Sequence, residues 1–333
     1  MYQPSANGYV VGAYAASPAH QQWHPDLERA YLDQLAGLPL VGALELPWMG
    51  GLHPHDEDWL LANLPAALDV VLTDIPNTVR LTSLRSTFGL ASAEEDGRRA
   101  AVETLARLHR DVQRLNDHAG RQRVRVVELH SAPQAHLAGV DAFADSLALV
   151  AGWDWDGAEL VVEHCDAAVA GQAPEKGYLR LDEEIAAIEA SGADVGIFLN
   201  WGRSAIELRD PDRVHEHVLL AAGTGLLRGL MFSGASDRAC AFGYPWIDAH
   251  HPLARSSSQP LGEPASLLTE ERLALALDSA GPLAWAGVKV GCAVKDTPVS
   301  DRVAMIGDAL EALHRSKRIG VRDASVSGAA VDR

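Results

Sequence analysis

The sequence predicts an α/β protein folded as one closed (β/α)8 TIM barrel, and three observations carry that prediction. Eight short runs rich in Val, Ile and Leu recur along the whole chain, and segments with helical spacing of apolar residues separate them. Most steps from one run to the next are about 30 residues, the size of a β/α unit. The length of 333 residues would also allow two domains. Eight units in succession suit one barrel better than two open sheets.

Taken in order, the first strand is YVVGAY at 9–14, followed by a helix over 26–36. LVGALEL at 40–46 leads to a helix over 55–65, and LDVVLTD at 68–74 to a helix over 96–119. VRVVELH at 124–130 precedes a helix over 137–151, and ELVVEH at 159–164 precedes one over 180–191. DVGIFLN at 194–200 is followed by a helix over 204–223, LRGLMFS at 227–233 by one over 269–280, and AWAGVKV at 284–290 by one over 300–315. The steps after strands 3 and 7 are long, and the excess falls in loops on the face where such barrels place their sites. The second of these, rich in Gly, Pro and Ser, carries Asp248, His250 and His251, and reads as a lid or pocket wall or else as a solvated excursion. The barrel domain is placed at 1–315, with a flexible C-terminal tail at 316–333.

With 28 basic and 45 acidic side chains the chain has a formal charge of −17. Binding to nucleic acid or to an anionic membrane needs clustered Lys and Arg, so neither is an expected partner. No apolar run is long enough to span a membrane and no basic region precedes an apolar N-terminal stretch, so a cytoplasmic location is expected. Cys165, Cys240 and Cys292 are widely spaced and form no zinc-finger or redox pattern; they read as core or pocket thiols. An oligomer is compatible with the sequence.

Alternation along barrel strands makes orientation legible, because the helix-facing set must be apolar. Val127 and Leu129 send Glu128 and His130 inward; Leu44 and Leu46 do the same for Glu45, Val162 for Glu163, and Ile197 with Leu199 for Asn200. Val288 and Val290 leave Lys289 inside, flanked by Gly287 and Gly291, and Asp74 belongs to the same ring. Four converging carboxylates must be neutralised by Lys289, by a metal, by a cationic substrate or by protonation, and each of these makes a functional site. Lys289 is expected within salt-bridge reach of Glu163 or of a carboxylate beside it. Trp23, Trp48, Trp201 and Trp246 follow strands one, two, six and seven, and indoles near carboxylates suit a carbohydrate or sugar acid, with Trp48, Trp201 and Trp246 placed against it. Arg203 either binds an anionic group of the ligand or pairs with Glu207 at helical spacing.

The order of units, with VVEHCDA ending strand five, DVGIFLNWG ending strand six and IDAHHP in the seventh loop, resembles the xylose-isomerase-like TIM barrels of the sugar-phosphate isomerase/epimerase superfamily. Over its whole length the chain is similar to a branch of that superfamily designated only a domain of unknown function. The resemblance implies a divalent metal held by a Glu after strand five, an Asp after strand six, a His on strand seven and a Glu on strand eight. Glu163 matches the first. Asn200, Ser233 and Lys289 stand at the other three, so three of four ligand positions are unmatched and the cofactor is left open. Lys289 can supply the positive charge instead, or Glu163 can hold a metal with His130, His164, Asp248 or His250. His164 on a regular strand points away from Glu163.

The leading function is proton transfer next to a carbonyl on a sugar or sugar acid, by an isomerase, epimerase or lyase. Glu128 and Glu163 form the acid/base pair, His130 relays protons, Lys289 stabilises an enediolate oxygen, and Glu45, Asp74, Asn200, Arg203, Asp248 and His250 bind substrate. The alternatives are a glycoside hydrolase with paired carboxylates, a Schiff-base enzyme if burial depresses the pKa of Lys289, and a degenerate barrel that only binds sugar.

Overall fold

The computed structural model describes residues 8–20 and 23–327. Its strands are β1 (Tyr9–Gly12), β2 (Val41–Pro47), β3 (Asp69–Thr73), β4 (Val124–Leu129), β5 (Glu159–Glu163), β6 (Val195–Asn200), β7 (Leu227–Phe232) and β8 (Trp285–Val288). They close into one parallel barrel in sequence order, β1 pairing with both β2 and β8. The α-helices are α1 (Pro25–Ala36), α2 (Glu57–Asn63), α3 (Ile75–Leu84), α4 (Glu95–Ala119), α5 (Val140–Ala151), α6 (Leu181–Ser191), α7 (Trp201–Leu208), α8 (Val214–Gly223), α9 (Glu270–Ala280) and α10 (Val299–Ser327). Among the described residues, no helix is long and apolar enough to cross a membrane.

Strand alternation produces two layers inside the barrel. Val10, Ala43, Val71, Val126, Val161, Phe198 and Met231 pack as an apolar plug. Phe198 fills much of that space because its strand neighbour is Gly229, where a β-carbon would lie 2.4 Å from the ring. Two residues further along each strand come Gly12, Glu45, Thr73, Glu128, Glu163, Asn200, Ser233 and Lys289, so the plug is the floor of a polar layer at the C-terminal end. The opposite strand faces, including Leu44, Leu72, Val127, Val162, Leu199, Leu230 and Val288, join the helices in the main hydrophobic cluster.

Three expectations about elements change. The long step after β3 is not simply a loop: α3 starts directly after Asp74, with a Pro in its first turn where a missing N–H costs nothing. The helix expected over 204–223 is two helices, because Arg209 takes a left-handed conformation (φ 51°) ahead of Pro211 and the axis breaks there. Part of the tail placed at 316–333 continues α10 as far as Ser327, in a stretch that contains no proline; residues 328–333 lie outside the described residues. The connection after β7 is long and irregular, as expected.

Candidate active site

The polar layer is organised around Lys289. Its Nζ lies 2.5 Å from Glu45 Oε1 and 3.3 Å from Glu163 Oε1, and it donates to the Tyr14 hydroxyl at 3.2 Å. Gly12 makes this possible, since a β-carbon there would stand 2.6 Å from the lysine Cγ. The other oxygen of Glu163 meets Arg203 Nη1 at 2.6 Å and His130 Nε2 at 3.1 Å. His130 Nδ1 is 2.8 Å from Asp74 Oδ1, which fixes the ring between two carboxylates. Arg203 also donates from Nε to Asp248 at 3.1 Å, and Asp248 pairs with Lys176. Glu45, Glu128, Glu163, Asn200, Arg203 and Lys289 are all buried, and the ring is closed from solvent. A cavity of about 390 Å³ beside it shares Tyr14 and is lined mainly by apolar side chains, with Ser17, Glu28, Tyr31, His53 and His55 as further polar groups.

The environment drives the carboxyl groups apart. Burial works against ionised Glu163, but Arg203, Lys289 and His130 outweigh it and hold the group well below the usual carboxylate range. Glu128 goes the other way: burial, then repulsion from Glu163 and Glu45, raise it well above that range. Neither of its oxygens has a hydrogen-bond partner among the described residues, the nearby Thr73 notwithstanding. Glu45 is raised by burial and by Glu163, although the ammonium beside it opposes the shift. Burial favours a neutral Lys289, yet Glu163, Glu45 and Tyr14 prevail and keep it an ammonium. The condition for a Schiff-base nucleophile, a depressed lysine, is therefore not met. For His130, burial favours the neutral ring, and the hydrogen bonds from Asp74 and Glu163 overcome it and raise its pKa.

Most inward residues read from the sequence meet here: Glu45, Asp74, Glu128, His130, Glu163, Asn200 and Lys289. Arg203 joins them instead of pairing with Glu207, which is taken by His164 Nε2 at 2.9 Å and the Ala167 N–H. Asp248 is held by cations, and His250 stands half-buried at 3.3 Å from it and edge-on to Tyr14. Burial, reinforced by nearby Lys289 and Arg203, pushes His250 down to about 3, so it is neutral. The tryptophan expectation is corrected for two residues. Trp48 is fully buried and donates its indole N–H to Asp111 on α4 at 2.7 Å; Trp201, one position beyond inward Asn200, falls in the helix-side core. Trp246 remains partly exposed under the Arg209 guanidinium. Tyr14 and Lys176 join the site beyond the residues that the sequence pattern marks: the pattern puts Tyr14 in the first strand, but β1 ends at Gly12 and a 3-10 turn carries Tyr14 over Lys289.

The four positions implied for a metal do not fit one. Lys289 puts an ammonium where a ligand would stand. Asn200 Oδ1 already accepts from Gly202 N and from the Ser233 hydroxyl at 2.7 Å, tying two further positions to each other. Cys165 is buried, whereas Cys240 and Cys292 are partly exposed, and all three are free thiols.

A second polar cluster lies on the helix side of β5. His164 bonds Glu184 through Nδ1 at 2.7 Å and Glu207 through Nε2, and the Ser131 hydroxyl donates to Glu184 at 2.5 Å. Burial opposes a charge on His164, but Glu184 and Glu207 raise it to about 10.

The family model for a domain of unknown function, DUF4862, matches residues 10–305. The chain belongs to the DUF4862 family. An uncharacterized protein of Salmonella typhimurium, STM3670, is 35% identical to this DUF4862 member over 317 residues, 93% of this chain and 98% of its own. Among solved structures, an L-ribulose 3-epimerase superposes over all of both chains with a TM-score of 0.62 at 16% identity. A D-psicose 3-epimerase (TM-score 0.55, 14% identity, 93% of this chain and 98% of its own) and a 3-keto-D-glucoside 4-epimerase from E. coli (0.52, 12%, 93% and 98%) are similar in the same way. At these identities the likeness shows the fold alone: the TIM barrel of this chain is similar to those of these epimerases and of a xylose isomerase domain containing protein from Salmonella typhimurium.

Proposed function

We propose that this protein catalyses proton transfer next to a carbonyl of a sugar or sugar acid, as an isomerase, epimerase or related lyase. The observation that carries the reading is the placement of Glu128 and Glu163 on adjacent strands beside the ammonium of Lys289, in surroundings that raise the first well above and hold the second well below the usual carboxylate range. Groups whose environments separate their pKa values are suited to acid and base roles. The substrate class is supported by the fold shared with sugar epimerases, and by unpartnered Glu45 Oε2, both Glu128 oxygens and Asn200 Nδ2, which can bond hydroxyls.

In the reaction, a substrate carbonyl oxygen takes the ammonium of Lys289 away from Glu163. Losing that contact raises Glu163 and makes it a better base. Glu163 removes the proton on the carbon next to the carbonyl, the electron pair moves onto the carbonyl oxygen, and Lys289 holds the resulting enediolate. Glu128 returns a proton and is left ionised; Glu163 releases the one it took along His130 and Asp74, and Glu128 takes a proton back from solvent when product leaves, which resets the pair. Substrate reaches the ring from the Tyr14 side, where the cavity lies, once the contacts of Asp248 with Lys176 and Arg203 relax.

The experiment is incubation with a panel of ketoses, aldoses and sugar acids in deuterium oxide, followed by NMR. Deuterium at the carbon next to the carbonyl is expected with the wild type and lost by about 100-fold or more in Glu128→Gln and Glu163→Gln. Binding without exchange across the panel would leave a sugar-binding barrel. Cleavage of glycosides without exchange would assign the same carboxyl pair to hydrolysis.

A further inference from the structure

The cluster on the outside of the barrel contains a contact between His217 and Glu207 that is within ion-pair distance but is not a hydrogen bond. His164, just past β5, links Glu184 and Glu207 and needs no other partner. His217 on α8 is different: its Nε2 points at the same Glu207 but stops 3.6 Å from Oε1, beyond a hydrogen bond. Each imidazole is anchored by its other nitrogen, His164 Nδ1 on Glu184 and His217 Nδ1 on the Ser204 hydroxyl at 3.2 Å. Glu184 is itself fixed by Ser131, and Glu207 by the Ala167 N–H at 2.9 Å. One potential ligand atom from each of His164, Glu207 and His217 thereby lies within 4.8 Å of the other two.

We infer that His164, Glu207 and His217 form a divalent transition-metal site of the zinc class, separate from the sugar site. Two imidazoles and one carboxylate suit zinc, cobalt or nickel rather than calcium or magnesium, which prefer oxygen. The Nδ1 anchors are the outer hydrogen bonds that orient metal-bound histidines. A solvent molecule completes the coordination from the side of His217 and Glu207, whose side chains are 12% and 8% exposed, while His164 is fully buried. The ion ties α7 and α8, across their break at Arg209, to the end of β5, and so braces the backbone next to Glu163. Its role is structural, because the His164 side chain projects into the helix layer and Glu163 into the barrel.

The test uses the full chain stripped of metal with a chelator and titrated with Zn²⁺ by calorimetry and with Co²⁺ by visible absorption. One equivalent is expected to bind, with Co²⁺ bands of a low-coordinate nitrogen and oxygen site. His217→Ala and Glu207→Gln, each checked for folding by circular dichroism, are expected to weaken binding by about 100-fold or more, and Ser204→Ala by about 10-fold. Glu163→Gln is expected to leave it intact. Absence of stoichiometric binding would make His164 an ion-pair link only and overturn the inference. Binding that survives His217→Ala but is lost in Glu163→Gln would overturn it too, by placing the ion on Glu128, His130 and Glu163 inside the barrel.

Discussion

Lys289 and Glu45 form an ion pair in which neither side chain is exposed, with Nζ 2.5 Å from Oε1. The same ammonium reaches Glu163, so one cation just past β8 serves two carboxylates from β2 and β5. Arg203 supplies the second positive charge at Glu163. The ring is thus balanced by the chain's own cations, while burial and repulsion from Glu163 and Glu45 raise Glu128 well above the usual carboxylate range.

Lys289→Met removes the shared cation and is expected to cost roughly 3–5 kcal/mol in urea denaturation, because two buried carboxylates lose their partner. Adding Glu45→Gln should restore most of that loss. Adding Glu163→Gln instead should restore less, since Arg203 then loses one of its two carboxylate partners and keeps only Asp248. A cost below about 1 kcal/mol for the single change would show that the ring is hydrated rather than buried.

Stability of the metal-free protein should depend on His164. Its pKa is raised from 6.5 to about 10 in the fold, so the folded state binds the proton more tightly than the unfolded one. The contribution is complete below pH 6.5, shrinks as the pH rises, and is gone above about 10. Denaturation midpoints are expected to fall across that window, by at most roughly 1.4 kcal/mol per pH unit. The slope should flatten in His164→Gln; an unchanged slope would locate the titration elsewhere.

Ligand-induced fluorescence should come from Trp246. Trp48 and Trp201 are sealed in the core, whereas Trp246 sits partly exposed beneath Arg209. Trp246→Phe is expected to abolish the response to a bound sugar or sugar acid, and Trp48→Phe and Trp201→Phe to retain it. A response that vanished only in Trp48→Phe would contradict the placement of that indole against Asp111.

The barrel was legible because β strands with one apolar face announce their orientation: Val127 and Leu129 place Glu128, and Val288 and Val290 place Lys289. The partners reached by loops were not. Arg203 and Glu207 are four apart and read as a helical pair, but Glu207 is claimed by His164 and the Ala167 N–H, and Arg203 turns inward to Glu163. Tyr14 was hidden because nothing local marks the end of β1 at Gly12; that glycine is explained only by the lysine stem arriving from β8. Helix α3 is short and begins IPNT, with too few apolar repeats to stand out from a loop.

The neutrality of Glu128 beside an ionised Glu163 is what the proposed chemistry rests on, and infrared difference spectroscopy of the full chain at pH 7 measures it directly. Subtracting Glu128→Gln from the wild type should reveal the carbonyl stretch of a protonated carboxylic acid. Subtracting Glu163→Gln should reveal the paired bands of a carboxylate. A carboxylate signature lost in Glu128→Gln would mean that both groups are ionised, and Glu128 could not then serve as the acid.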